Sequence, residues 1–350
     1  MKIALSEFGG MAPKIEPRRL ADKLATLAQN VSFESGALGL MPIGTVLSTV
    51  FNALNPNTRS ILRPASGDTR LAFTTGETTG EAFASLMAPS DKWGRVYFTD
   101  MFGPRFTVAE NYTPGGLKTD PISYKLGIPA PKFQITVGTP VFTTPADVVP
   151  DLVKIAYICT FVDKFGHESA PCSPSTIVSI PANIPFTVPL FFVAESLPQT
   201  NLSGAVRRVY RAAFDGSTSA WQFVADVPFA STNFTDAVQF GDEAEELVST
   251  DWVPPPSDLK QMVPVASNYV AGFVGNLVCY SAFRLPHAWP ESYRFPLKYD
   301  IVGLKQTQNG LLIATNGKPY WAFGPDPAAA VPAELDANHP CLSAKSMVDM

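Results

Sequence analysis

Residues 300–323, DIVGLKQTQNGLLIATNGKPYWAF, decide the fold class of this chain because short apolar runs alternate in them with turn residues. Two Asn-Gly pairs, Asn309-Gly310 and Asn316-Gly317, separate the runs. Asn-Gly between apolar runs is a strong β-hairpin signal, since both residues tolerate the positive φ of a type I′ turn. The preceding residues 269–280 repeat the pattern around Gly275-Asn276. We therefore predict an antiparallel meander, either as pieces of propeller blades or as an ordinary antiparallel sheet.

The composition extends this prediction to the whole chain. Its 350 residues include 33 Pro and 24 Gly. Proline is excluded from helix interiors and central strands, so a chain this rich in it is cut into short segments. Only 16% of the residues are charged, below the roughly 25% of ordinary soluble domains. We expect a mainly β protein that buries much surface in its own core or against other subunits.

Charge and hydropathy exclude several classes of protein. The net charge of -5 argues against a protein that grips nucleic acid through its phosphates, although DNA can still pass nearby. An apolar fraction of 46% argues against disorder, and no apolar stretch approaches the roughly 18 residues of a membrane span. Residues 1–10 lack the pattern of a secretory signal, which predicts synthesis in a reducing cytoplasm.

Runs of predicted strands, bounded by proline-rich segments, predict the domain organisation. We expect an N-terminal arm at residues 1–45, a propeller-like β platform at residues 46–130 and 255–350, and an inserted β-sandwich at residues 131–254. The strand order of the sandwich and its exit Glu168-Ser-Ala-Pro171 resemble immunoglobulin-like domains of the fibronectin type III kind. Pro254-Pro255-Pro256 marks the end of the insert, because consecutive prolines favour the stiff polyproline II geometry.

One short helix is predicted, in the arm, from Pro17 to Asn30. Proline suits the first helical position, and Leu20, Leu24 and Leu27 recur on one helical face. The helix would be amphipathic.

Apolar and polar residues alternate in several further segments, which predict strands with turns between them. The predicted strands are 31–35, 70–74, 95–101, 132–137, 155–162, 206–212, 221–227 and 231–236, and the predicted loops are 76–90 and 103–132.

A search for catalytic motifs predicts no enzyme and no cofactor or metal site. The chain has no Gly-x-Ser-x-Gly, no Gly-x-Gly-x-x-Gly, no His-Glu-x-x-His and no Walker loop. For His167, His287 and His339, a packed or surface role is favoured over a catalytic base.

The acidic stretch near residue 244 is interpreted as a solvated loop. A calcium site is the alternative, but the stretch lacks the regular Asp-x-Asp-x-Asp-Gly spacing. Its acidic members are Asp242, Glu243, Glu245 and Glu246.

Cysteine and arginine positions give two further predictions. Cys159 and Cys172 are symmetric about a turn at 165–166 and should face each other, as free thiols in a reducing cytoplasm, with a late disulfide as the minor alternative.

Arg207 and Arg208 should lie on opposite faces of a strand. We assign these arginines and Arg211 to surface solubility rather than to contacts with DNA or an acidic partner.

Apolar side chains of the arm and of one proline-flanked loop are the candidate subunit or partner contacts. In the loop, stacking on sugars or on a partner is weighed against core or subunit packing, which is favoured. The candidates are Phe8, Leu20, Leu24, Leu27, Phe33, Trp289 and Tyr293.

Three features resemble bacteriophage virion proteins of the short-tail tubular or nozzle type: residues 28–38, residues 160–171, and residues 286–293 followed by 300–303. The resemblance implies a β-propeller platform with an inserted fibronectin III-like domain, assembled as a homo-oligomeric ring around the DNA exit channel. It also implies other tail and connector proteins as partners, DNA that passes without sequence-specific binding, and a location in the virion tail after synthesis in the host cytoplasm.

We therefore expect a structural, non-catalytic virion component without a membrane segment. A tail-associated glycan-binding or glycan-cleaving module is the alternative, and an adhesin or receptor ectodomain is disfavoured by the missing signal. Deletion of residues 131–254 is expected to spare ring formation and to lose an outer partner.

Overall fold

A computed structural model describes the side chains of residues 57–58, 61, 71–74, 91–112, 117–196, 204–214, 220–242, 244–265, 268–307, 310–322, 332–337, 339–344 and 347, and the backbone of the other strand residues given below. The chain divides into two compact units, Met1–Ala53 and Leu54–Met350. The described residues are mainly β and contain no α-helix, as the composition predicted. None of their helices has the length and apolar character of a transmembrane span.

The first unit is described only as four two-residue strands. They are β1 (Gly10–Met11), β2 (Leu24–Ala25), β3 (Val31–Ser32) and β4 (Gly39–Leu40). β1 pairs with β2 in parallel, and β3 pairs with β4 antiparallel. The helix predicted from Pro17 to Asn30 is not confirmed, because its only described residues lie in β2 and the others lie outside the described residues.

The second unit begins with two groups of strands. The strands are β5 (Ser60–Leu62), β6 (Arg70–Phe73), β7 (Thr79–Ala84), β8 (Val96–Asp100), β9 (Gly103–Thr107), β10 (Leu117–Thr119) and β11 (Tyr124–Lys125), with a 3₁₀ turn at Ala109–Asn111. β10, β6 and β5 form a small sheet, and β7, β8, β9 and β11 form an antiparallel meander.

Two loops predicted in this region are wrong in part. β7 falls in the predicted loop 76–90, and β9 to β11 fall in the predicted loop 103–132. Proline removes a donor but not an acceptor. Pro104 is accommodated in β9, where its carbonyl accepts the Leu126 N–H at 3.0 Å. Gly103 makes the tight turn with φ +98°.

Residues 135–247 contribute two sheets to one hydrophobic core. The first sheet has the order β15-β14-β17-β18, and in the second β12, β13 and β19 all pair with β16. The strands are β12 (Thr136–Val137), β13 (Val141–Phe142), β14 (Leu152–Val162), β15 (Val178–Pro181), β16 (Phe186–Phe191), β17 (Val206–Phe214), β18 (Gln222–Pro228) and β19 (Asn233–Asp236). The strands predicted here are confirmed, although β12 is shorter than predicted.

Segment 169–175, which we call the flanking segment, continues the first sheet beside β14 without forming a regular strand. β15 covers only the start of β14. Beyond it, the N–H groups of Ser169, Cys172 and Ser175 each donate to a β14 carbonyl at 2.9 Å. Their side chains in turn accept the N–H groups of alternate β14 residues. Prolines 171 and 174 explain this arrangement, because they lack the N–H groups that a regular ladder needs.

The last part of the unit is the predicted meander. It contains β20 (Lys260–Val265), β21 (Tyr269–Val274), β22 (Leu277–Tyr280), β23 (Arg294–Pro296), β24 (Ile301–Thr307), β25 (Gly310–Thr315), β26 (Tyr320–Ala322) and β27 (Ala333–Glu334), with a 3₁₀ turn at Glu291–Tyr293. β20 to β23 and β24 to β27 form two antiparallel four-stranded meanders. The first joins β7 through a single parallel pair, Met262 with Gly80.

The hairpin turns differ in detail from the prediction. Gly275 has φ +56°, whereas Asn276 has no positive φ, so this turn is not of type I′. At 316–317 neither residue has positive φ, and the Thr315 hydroxyl closes the turn by donating to the Lys318 carbonyl and accepting the Gly317 N–H. The hydrogen bonds of the Thr315 hydroxyl thus stabilise this turn without the positive-φ backbone conformation that Asn-Gly favours.

Candidate functional site

The candidate contact residues fall into three groups in the structure. Phe8, Leu20, Leu27 and Phe33 lie outside the described residues, and only the backbone of Leu24 is described. Trp289 and Tyr293 are described with their side chains.

Trp289 lies in the core of its own chain. Its side chain is 0% exposed, and its indole N–H donates to the Pro286 carbonyl at 2.8 Å. A side chain without exposed surface cannot stack on a sugar or a neighbouring subunit, so packing in the core is its observed role. Tyr293 is half-buried against the cluster that contains β20 to β22 and β24 to β26, and it keeps surface for a contact.

His167 lies in a buried chain of polar groups that joins the turn after β14 to the segment before β8. His167 Nδ1 is 3.1 Å from Asp163 Oδ2, and His167 Nε2 is 2.6 Å from the Arg95 guanidinium. Arginine can only donate, so Nε2 accepts and the ring proton is on Nδ1, facing Asp163. Arg95 also donates to Asp91 at 2.8 Å.

This geometry shows what the Asp163–His167 pair can do chemically. An aspartate orients the imidazole as in a catalytic triad. The other ring nitrogen, however, is occupied by the Arg95 donor rather than by a hydroxyl or thiol nucleophile. The pair therefore holds the turn in place and has no nucleophile to activate.

His287 packs on this chain of groups. Its ring stacks on His167 with centroids 4.5 Å apart, and it meets the Trp252 ring in a T-shaped contact. Burial, reinforced by the positive charge of Arg95, holds the pKa of His287 well below its ordinary value. Its Nε2 has no hydrogen-bond partner among the described residues, so the side chain behaves as a neutral aromatic ring.

A cavity of about 680 Å³ lies on the outer side of the sheet that contains β17 and β18. We call it the Glu168 cavity, after the carboxylate at its base. Its walls include Glu168, Arg208, Tyr210, Phe223, Glu245 and Val248.

Glu168 is almost fully buried, and donors converge on it. Its Oε1 accepts from Thr160 at 2.7 Å, from Tyr210 at 2.8 Å and from Ser249 at 3.2 Å. Burial and the negative charge of Glu168 raise the pKa of Tyr210, which keeps the phenol protonated as a donor. Sequence reasoning missed this role for Glu168, because two of its donors, Tyr210 and Ser249, are distant along the chain.

Arg208 closes one side of the cavity. It forms a two-pronged pair with Asp226 at 2.8 and 2.9 Å and approaches Glu168 Oε2 at 3.4 Å. The hydrogen bonds to Asp226 raise the pKa of Arg208. The cavity thus combines carboxylates, one arginine and an aromatic face.

The arginine predictions are confirmed in part and wrong in part. Arg207 and Arg208 do lie on opposite faces, but Arg207 and Arg211 are buried rather than at the surface. Arg207 donates to the carbonyls of Phe229, Ser231 and Val193. Arg211 pairs with Asp236 at 2.7 Å. Solubility does not explain them, because each satisfies buried acceptors in the core.

The remaining predictions concern the acidic stretch and the cysteines. Asp242, Glu245 and Glu246 are exposed, and Glu243 lies outside the described residues. In the described part of the chain no group of three or more metal-ligating side chains is arranged to hold an ion.

Cys159 and Cys172 face each other as predicted, with their sulfurs 3.8 Å apart.

No protein-family model matches the chain, and no curated protein matches it.

Proposed function

We propose that the chain is a structural, non-catalytic subunit of a bacteriophage tail, of the nozzle or tail-tube type. Copies of it form a ring that encloses part of the DNA exit channel and carries other tail proteins. The proposal includes a propeller-like platform, an inserted fibronectin III-like sandwich, and an arm that lies across neighbouring subunits.

The order of the sheets supports this architecture. β7-β8-β9-β11 and β20 to β23 are antiparallel four-stranded meanders that join through β7 and β20 into one eight-stranded sheet, and β24 to β27 form a third meander. We take each meander as a candidate blade, because a propeller blade is a four-stranded sheet. The two-sheet unit β12 to β19 lies between the first and second of them in the chain. A platform interrupted by one insert explains that order.

The proposed ring assembly rests on exposed apolar side chains of the two-sheet unit. Val141 is 61% exposed, Val149 is 85% exposed and Leu152 is 57% exposed, all within twelve residues. Among the described strands, β13 with Val141 pairs with β16, whereas Leu152 begins β14 of the other sheet. Exposed apolar side chains and strand edges both favour a covering partner, so we propose that this segment contacts a neighbouring subunit. We call residues 141–152 the apolar edge.

The charge of the chain supports passage of DNA without retention. With 31 acidic and 26 basic residues, the net charge of -5 repels phosphates weakly. We expect no gel shift of duplex DNA by the purified chain at physiological salt.

The test is imaging of the full chain by negative-stain electron microscopy, with sedimentation velocity on the same sample. We expect annular particles. Val141→Ser, Val149→Ser and Leu152→Ser together should shift the sedimentation toward monomer. The free energy of unfolding of the dissociated chain should change by no more than about 1.5 kcal/mol, since exposed substitutions change stability by only about 0.5 kcal/mol each. Phe283→Ser, an exposed change outside the apolar edge, is the control and should keep the particles.

A stable monomer at all concentrations would contradict the ring. Incubation of the same protein with host envelope polysaccharide tests the alternative, a glycan-binding or glycan-cleaving module. Retention or shortening of the polysaccharide by a monomer would replace the structural proposal with that alternative.

A further inference from the structure

The Cys159–Cys172 pair is the group of reactive side chains that the proposed function leaves unused. Cys159 lies in β14 and Cys172 in the flanking segment, and both are buried. Their sulfurs are 3.8 Å apart, and the Cys172 N–H donates to the Cys159 carbonyl at 2.9 Å. A disulfide needs sulfurs about 2.05 Å apart, so closing the bond requires a movement of less than 2 Å.

The hydrogen bonds around the two thiols give them different pKa values. The Cys159 N–H donates to Cys172 Sγ at 3.2 Å. The hydrogen bond from the Cys159 thiol, aided by nearby backbone N–H groups, lowers the pKa of Cys172, whereas the pKa of Cys159 is raised. Cys172 is therefore the better nucleophile of the pair.

Access also favours Cys172. The neighbouring residues Ser173 and Pro174 are exposed, so the irregular segment that carries Cys172 lies at the surface. A local opening of the flanking segment exposes Cys172 while β14 stays in the sheet between its neighbours.

We propose that Cys159 and Cys172 form an oxidisable dithiol, which small-molecule disulfides convert into a bond that fastens the flanking segment to β14. The Cys172 thiolate attacks one sulfur of the small disulfide, forms a mixed disulfide and releases one thiolate. Cys159 then gives up its proton and attacks Cys172 Sγ, which forms the intrachain bond and releases the second thiolate. Two protein thiols are oxidised, and one small disulfide is reduced to two thiols.

The consequence is a chain that folds reduced and becomes more rigid when it meets an oxidising medium. The bond would close a loop around the turn at 163–167 and so restrict the unfolded chain. The inference does not depend on the proposed assembly, since it concerns one chain.

The experiment exposes the folded full chain to oxidised glutathione, blocks the remaining thiols, and digests the denatured protein with trypsin. We expect peptides 155–164 and 165–207 to be joined, lighter by the mass of two hydrogen atoms and separable by reduction. The thermal midpoint of the oxidised protein should rise by about 3–6 °C. In Cys159→Ser, Cys172 should instead keep one glutathione, because the second attack is lost.

Two other cysteines serve as controls. Cys279 is buried with no second thiol beside it, so Cys279→Ser should retain the linked peptides and the rise in midpoint. Cys341 is half-buried and reports that the oxidant is active. The proposal is overturned if peptides 155–164 and 165–207 stay separate under conditions that modify Cys341, if a mixed disulfide persists in the unaltered chain, or if the linked protein shows no rise in midpoint.

Discussion

Asp236 is the buried carboxylate that pairs with the buried Arg211 guanidinium in the two-sheet unit. Its carboxylate accepts the Tyr157 hydroxyl and the Arg211 guanidinium, each at 2.7 Å, and the Val238 N–H at 2.9 Å. Burial, followed by the negative charge of Asp236, raises the pKa of Tyr157, so the phenol remains a donor.

We expect Asp236→Ala to lower the free energy of unfolding by about 3–5 kcal/mol, because it removes the buried carboxylate that accepts from the Arg211 guanidinium and the Tyr157 hydroxyl. Asp226→Ala is the matched control. Its pair with Arg208 is partly exposed and should cost about 1 kcal/mol or less. Urea unfolding measures both, and equal losses would contradict the difference in burial.

His287 makes the stability of the fold depend on pH. Its pKa lies well below the ordinary value in the folded chain, and the unfolded chain binds a proton near pH 6.5. The folded chain favours the neutral form of His287, and the contribution of this preference to the free energy of unfolding is complete above about pH 6.5. The contribution is lost as the pH falls toward the pKa of His287 in the folded chain.

His287→Phe should flatten this dependence, because phenylalanine takes up no proton in either state. The slope of unfolding free energy against pH below 6.5 should fall by up to about 1.4 kcal/mol per pH unit. At pH 8 the variant should differ from the unaltered chain by less than about 1.5 kcal/mol. An unchanged slope in His287→Phe would count against this assignment.

At the scale of elements, the flanking segment depends on side chains for hydrogen bonds that a regular strand would make with its backbone. Ser169, Cys172 and Ser175 recur every third residue, and polyproline II structure has three residues per turn. One side of such a segment can therefore present all three acceptors to β14.

Ser175→Ala should lower the free energy of unfolding by about 1–3 kcal/mol, because the buried Tyr157 N–H loses the hydroxyl that accepts it at 2.9 Å. Ser173→Ala, an exposed change in the same segment, should stay within about 0.5 kcal/mol. Chemical denaturation compares the two, and equal effects would mean that the hydroxyl of Ser175 is not a structural acceptor.

At the scale of the whole second unit, the turn after β14 inserts into a different core. Phe165 packs in the cluster that contains Phe106, Met262 and Trp289, and its ring lies 5.2 Å from that of Phe106. The predicted boundaries at 131 and 254 stay a prediction. Deletion of residues 131–254 would, however, remove Phe165 from this cluster, so that experiment no longer separates assembly from folding.

Phe165→Ala should cost about 3–5 kcal/mol in the free energy of unfolding, since it leaves a cavity between the turn and the strands β8 and β9. Phe133→Ala is the matched control, because that ring is about half exposed. Thermal and urea unfolding should both show the difference, and a loss below about 1 kcal/mol for Phe165→Ala would mean that the turn is not an anchor.

The sequence alone determined the local features of this protein: the mainly β class, most strands of the two-sheet unit and the final meander, the turn at 163–167 and the facing of Cys159 and Cys172. These follow from proline density, alternation and symmetry about a turn, all of which act between near neighbours. Tertiary structure decided β7 and β9, the burial of Arg207 and Arg211, and the donors that meet at Glu168. Those outcomes depend on partners far apart in the chain, such as Ser249 for Glu168 and Asp236 for Arg211, and no local pattern records which distant group will satisfy a buried charge.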